Sequence, residues 1–231
     1  MSMASDNLYD LLTRYFRQQS ELFNESTTFA QSSRKHTVST SVEADKDALA
    51  TFCHEIKDCT KCALSSSRRH FVFGAGNPNA RVMLIGEAPG EEEDRIGEPF
   101  VGKAGKLLDK MLKAINFSRE DVFITNILKC RPPGNRDPQP DEIATCVPYL
   151  HRQIELIKPD FILVLGRIAA QTLLTTTSSL GKLRTHPHDF SGITLIVTYH
   201  PAALLRTEDY KRPAWEDLKL LRKLFDEKVK S

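Results

Sequence analysis

The sequence has no apolar run long enough to cross a bilayer, and its start lacks the basic-then-apolar pattern of a secretory leader. The expectation is a soluble, cytoplasmic protein with no membrane partner. An excess of one charge is also missing: 32 Lys and Arg face 30 Asp and Glu, a formal charge of +2. That balance permits a nucleic-acid partner without arguing for one, and any DNA-binding face must be local. Cysteine is sparse, five in 231 residues. In an intracellular chain these read as metal ligands or free thiols rather than as a disulfide framework.

What is present is an ordinary globular composition, 40% hydrophobic and 27% charged, with length for one substantial core and an appendage. Residues 1–45 read as that appendage. Leu8, Leu11, Leu12, Tyr15 and Phe16 fall on one face of a short helix, and a Ser- and Thr-rich linker follows at 20–41. Residues 46–231 read as the functional domain.

Within that domain four apolar runs, 82–85, 122–127, 161–166 and 193–198, read as strands, separated by segments of helical period. Helices are expected over 48–62, from about 107, over 141–157 and 167–174, and over 213–228, the last with Trp215, Leu218, Leu221 and Phe225 on one core-facing stripe. Strands apolar on both faces and alternating with helices predict an α/β fold: a central four-stranded parallel sheet between two helical layers. Ligands of such sheets bind outside the carboxyl ends of the strands. The loop from Gly86, together with Asn126 and His200, falls at those ends.

The loop at 86–108, GEAPGEEEDRIGEPFVGKAGKLL, organises the rest. Gly86 and Gly90 let backbone approach a ligand, Pro89 stiffens the turn, Glu87 brings a carboxylate and Phe100 an aromatic face, a combination suited to a flat ligand. Asn126 presents one donor and one acceptor, matching uracil at O4 and N3–H, whereas cytosine shows the reverse pattern. His200 is a donor for a developing anion. The bland alternatives are a plain turn with a solvated acidic run, an Asn that caps a strand, and a His that precedes Pro201.

Four cysteines fall in the order Cys59-x2-Cys62, 67 intervening residues, then Cys130-x15-Cys146, with Cys53 the odd one out. Between them, Lys129, Arg131 and Arg136 lie among prolines and glycine in a loop suited to phosphate.

Gly86-Glu87-Ala88-Pro89-Gly90, Pro99-Phe100-Val101-Gly102, Thr125-Asn126 with Lys129-Cys130-Arg131-Pro132-Pro133, and His200-Pro201-Ala202-Ala203-Leu204-Leu205-Arg206 resemble the motifs of family 4 uracil-DNA glycosylases, the iron-sulfur type. The match runs from about residue 59 to the C-terminus. The resemblance implies a uracil-DNA glycosylase fold and a [4Fe-4S] cluster on Cys59, Cys62, Cys130 and Cys146, with zinc the alternative. It implies a uracil pocket of Gly86, Glu87, Ala88, Glu93, Phe100, Asn126 and His200, and a monomer acting on uracil-containing DNA, single- or double-stranded. Catalysis is expected from His200, Glu87 and Asn126. Leu204 or Leu205 would fill the vacated stack, with Arg206, Lys129, Arg131 and Arg136 on phosphates.

Better-known uracil glycosylases carry an aspartate where this chain has Ala88, which leaves the water-positioning residue open between Glu87 and Glu93; Glu93 is alternatively a gate against the thymine methyl. A covalent-capture relative carries a histidine in the region of 130–140, and this sequence has none there, so ordinary turnover is expected. Two other classes compete: a non-catalytic iron-sulfur or zinc module that binds nucleic acid, and a nucleotide hydrolase holding magnesium on Glu91, Glu92, Glu93 and Asp94.

Overall fold

The computed structural model describes residues 41–184 and 186–230. By its contacts the chain divides into a unit of residues 1–42 and one of residues 43–231. The expected helix around Leu8 to Phe16 and the linker after it lie outside the described residues.

The domain is built on a six-stranded sheet of β1 (Ala75–Gly76), β2 (Val82–Gly86), β3 (Val122–Asn126), β4 (Phe161–Leu165), β5 (His188–Phe190) and β6 (Ile193–Thr198), in the order β1-β3-β2-β4-β6-β5. The four inner strands are parallel, as their doubly apolar character predicts. The two outer strands are antiparallel additions that the sequence does not announce, because two and three residues are too few to show an alternation.

Helices cover both faces. Val82 and Leu84 of β2, Val122 and Ile124 of β3, and Phe161, Leu163 and Leu165 of β4 form one core with α3 (Lys103–Ala114) and α8 (Lys211–Lys230), through Leu108, Met111, Leu112, Ala214, Leu218 and Leu221. The alternate residues Met83, Ile85, Phe123, Ile162 and Val164 are buried on the other face. There α4 (Pro140–Ile157) brings Gln153 to Thr125. Trp215 departs from its expected place: it is 39% exposed, because α8 turns Leu218 and Leu221 inward and leaves Trp215 beside Leu107 and Met111 at the rim of a shallow apolar groove.

Helix ends are set by local chemistry. Pro140 occupies the first turn of α4, and Glu142 accepts from the backbone N–H of Gln139 at 2.7 Å. The first described helix, α1 (Ser41–Ile56), stops short of the expected end at Cys62, so Cys59 and Cys62 lie in the turn that follows. The acidic run folds into a short helix, α2 (Glu91–Ile96), whose carboxylates favour its N-terminal end. The remaining helices are α5 (Arg167–Leu173), α6 (Leu180–Leu183) and α7 (Pro201–Arg206).

Candidate active site

Three strand ends meet at one crevice. Gly86 closes β2 and pairs in register with Asn126 at the end of β3, while His200 follows β6 on the other side of β4. The sheet order reverses direction at β2, where an open α/β sheet parts to admit a ligand. The cleft measures about 390 Å³ and is lined by Glu87, Ala88, Glu93, Phe100, Asn126, His200 and Arg206, all expected from the sequence, and also by Asn135 and Asp137. Gly86 lies beneath it. A Cβ there would fall 2.4 Å from Asn126 Oδ1 and 2.7 Å from Phe100 Cζ, so the absent side chain is what lets these two pack together.

Asn126 is 1% exposed, and its Oδ1 has no hydrogen-bond partner among the described residues. A buried orphan acceptor costs about 1 to 3 kcal/mol until something donates to it. A ligand N–H would recover that cost.

Phe100 holds a backbone conformation that a bulky residue rarely adopts, with φ of 54°. The surroundings enforce it. Arg119 donates to the carbonyls of Pro99 at 2.7 Å and Phe100 at 3.0 Å, and Glu93 accepts from the N–H groups of Val101 at 2.9 Å, Gly102 at 3.0 Å and Gly90 at 3.1 Å. Gly105 must lack a side chain, since a Cβ would come within 1.7 Å of the Phe100 carbonyl oxygen. The bracketed turn holds the Phe100 ring 5.5 Å from the His200 ring.

Both Glu93 oxygens accept from backbone donors, so Glu93 clamps the loop and its carboxylate is fixed on the cleft wall.

His200 caps α7: its Nδ1 accepts from the N–H of Ala202 at 3.2 Å. In a neutral ring the proton then resides on Nε2, leaving that N–H for a ligand. Burial, and then the nearby Arg206 charge, lower the His200 pKa to about 4, against a smaller opposing effect of Glu93. The imidazole is therefore neutral at neutral pH.

Glu87 moves the other way. Burial raises its pKa to about 7, Asp137 adds to the rise, and Arg167 opposes it. Arg167 also holds Asp137 through an Nη2–Oδ2 contact of 3.3 Å. A lone acid in a proline-rich loop gives no sequence signal, and it is the fold that brings Asp137 to the cleft.

Two expected DNA contacts are corrected, at Lys129 and Leu204. Lys129 is fully buried and bonded to three internal acceptors. Arg136 lines the cleft and pairs both terminal nitrogens with the buried Glu142, at 2.6 and 2.9 Å. Leu204 is 4% exposed within the core, so it cannot enter a base stack; Leu205, 53% exposed, is the side chain that reaches solvent. Arg131 is partly exposed, bonded to Asn135 at 2.8 Å and 3.8 Å from Glu91, and stands outside the cleft lining. Arg206 is exposed at the cleft edge.

The four cysteines draw together from three segments. Arg68 bridges the Cys59 carbonyl at 2.6 Å and Cys130 Sγ at 3.3 Å, Tyr149 O–H donates to Cys59 Sγ at 3.2 Å, and the Lys129 N–H donates to Cys146 Sγ at 3.3 Å. Cys59 and Cys62 act electrostatically on Cys130, and Cys130 and Cys62 on Cys146. Cys53 stands apart on α1, half-buried. Among the described residues, no three His, Cys, Asp or Glu side chains are grouped to hold a single metal ion.

Comparison with known proteins agrees with this geometry. The family model described as the uracil DNA glycosylase superfamily matches residues 73–219. The type-4 uracil-DNA glycosylase of Archaeoglobus fulgidus is 44% identical over 190 residues, covering 79% of this chain and 96% of that protein. Those of Saccharolobus solfataricus, 45% identical over 79% of this chain and 88% of the relative, and of Sulfurisphaera tokodaii, 44% over 77% and 85%, are similarly close.

Proposed function

The chain belongs to the uracil DNA glycosylase superfamily, as a type-4 member, and from that premise we propose how its cleft takes a uracil flipped out of DNA and hydrolyses the N-glycosidic bond. It is a DNA glycosylase that excises uracil and leaves an abasic site for repair. The single observation that carries the reading of its site is the unpartnered Oδ1 of Asn126, buried beside Phe100 and awaiting a donor such as uracil N3–H.

The flipped base enters the cleft and stacks on Phe100, which can return about 1 to 3 kcal/mol of the flipping cost, by analogy with bases on aromatic platforms. As the glycosidic bond lengthens, electrons move to the uracil and positive charge develops on the sugar. The His200 Nε2–H donates to the O2 where that negative charge collects, and a neutral donor does so without giving up its proton. The Glu87 carboxylate orients the water that attacks the sugar carbon and accepts its proton as the C–O bond forms, while the uracil departs as the anion held at O2. Leu205 fills the space left in the stack and Arg206 meets a phosphate. We further propose a monomer acting on uracil-containing DNA inside the cell, with residues 1–45 an extension outside the catalytic domain of residues 46–231.

We assign Cys59, Cys62, Cys130 and Cys146 to a [4Fe-4S] cluster, supported by thiols from three segments that approach one another and by the Arg68 guanidinium and two further donors supplied to their sulfurs. When bound, such a cluster ties the segment before β1 to the loop after β3.

The test is excision from an oligonucleotide carrying one deoxyuridine, in chelator, with alkali to cut abasic sites and a thymidine strand as control. Cleavage confined to uracil and lost in Asn126→Ala is expected. Intact strands after treatment with folded, iron-loaded protein would sink the catalytic reading and favour a nucleic-acid-binding module, whereas activity abolished by chelator would favour metal-dependent hydrolysis.

A further inference from the structure

Lys129 is among the largest fully buried side chains of the domain, and it bonds to no carboxylate among the described residues. Its Nζ lies 2.6 Å from Thr125 Oγ1, 2.7 Å from the Asn126 carbonyl oxygen and 2.6 Å from Gln153 Oε1. Each partner acts as an acceptor. Gln153 turns its amide Nε2 to the Phe73 carbonyl at 2.9 Å, and Thr125 directs its hydroxyl to the same carbonyl at 2.8 Å. Three acceptors match the three N–H bonds of an ammonium.

An interior ammonium is costly to desolvate, and an apolar side chain of the same length would ordinarily serve packing at least as well. The placement therefore calls for a role other than packing. One of the three bonds grips the peptide of Asn126, whose side chain carries the unpartnered acceptor. The Lys129 N–H meets Cys146 Sγ, its carbonyl receives the N–H of Val72 at 2.8 Å, and Cys130 is the next residue.

We infer that Lys129 is a positioning residue of the glycosylase site: its buried amino group fixes the Asn126 peptide against α4 and so holds the uracil-reading amide in register with the cysteine-bearing wall. This rests on the proposed reading of Asn126. Lys129 itself touches no substrate.

The test is Lys129→Met, which keeps length and removes the three bonds, with Thr125→Val as a near-isosteric second variant that removes one. Steady-state kinetics on the deoxyuridine strand, affinity for free uracil and affinity for a strand bearing a stable abasic analogue are measured per folded molecule. For Lys129→Met the expectation is that kcat and uracil affinity each fall roughly 10- to 100-fold, the range of a hydrogen bond to a charged group, while affinity for the abasic strand holds. Thr125→Val should lose several-fold in the same two quantities, and it carries the test alone if Lys129→Met does not fold. Unchanged kcat and uracil affinity in folded variants, or an equal loss on the abasic strand, would overturn the inference. A wild type that excises no uracil would instead overturn the reading of the cleft on which it rests.

Discussion

At the scale of single residues the cleft separates two titrations. His200 is neutral down to about pH 4 because burial and Arg206 oppose its charge, so it contributes no acid limb over the working range. Glu87, with a pKa raised to about 7 by burial and Asp137, is half protonated at neutral pH. If its carboxylate orients the water, kcat rises with pH through about 7 and levels above it, and Glu87→Gln loses that limb. Asp137→Asn removes a like charge from Glu87, lowers its pKa and moves the limb to more acidic pH; an unmoved profile would detach Asp137 from the chemistry. The same shift has a stability sign. The folded state keeps a proton on Glu87 that the unfolded chain releases between its ordinary value of 4.5 and about 7, so stability falls as pH rises through that window, and Glu87→Gln should flatten the fall. His200→Ala should cost about 2.7 to 4 kcal/mol of barrier, some 10²- to 10³-fold in kcat, as other oxyanion donors do.

At the scale of elements, the turn between α2 and α3 stores strain for function. Phe100 stays at positive φ only because Arg119, Glu93 and the missing side chain of Gly105 leave no alternative. Arg119→Met should therefore lower kcat on deoxyuridine by more than its effect on melting temperature would suggest, because the ring can relax away from His200 while the core stays intact. Equal activity per folded molecule would show that the turn holds itself. Helix α7 gives a paired contrast. Leu204→Ala opens the core and should cost about 2 to 5 kcal/mol of stability, whereas Leu205→Ala should leave melting unchanged and weaken excision from duplex more than from single strands.

At the scale of the whole molecule, the cysteine wall and the cleft share the loop after β3. Replacing Cys146 by Ser should release iron on purification and lower the melting temperature, with excision lost only as far as the fold is lost; full iron content in that variant would contradict the assignment of ligands.

Much of this plan was legible beforehand for physical reasons. Parallel strands buried on both faces write continuous apolar runs such as Val82 to Ile85, and a site at strand ends places its glycines and amides at the close of those runs. The illegible parts were those decided by three-dimensional packing. Edge strands of two or three residues carry no period, and nothing in a lysine among prolines says that it points inward, as Lys129 does, rather than toward phosphate. Leu204 and Leu205 differ only in the turn of α7 that sets one in the core and the other in water. Charge on Glu93 told nothing of the three backbone donors waiting for it.

The central claim is that the unpartnered Asn126 oxygen accepts the N3–H of uracil. The most direct measurement is the affinity of the wild-type protein for free uracil, 1-methyluracil and 3-methyluracil by calorimetry. N1 carries the sugar in DNA, so 1-methyluracil should bind about as well as uracil, and 3-methyluracil, which has no N3–H, should not bind detectably. Comparable binding of all three would contradict the account.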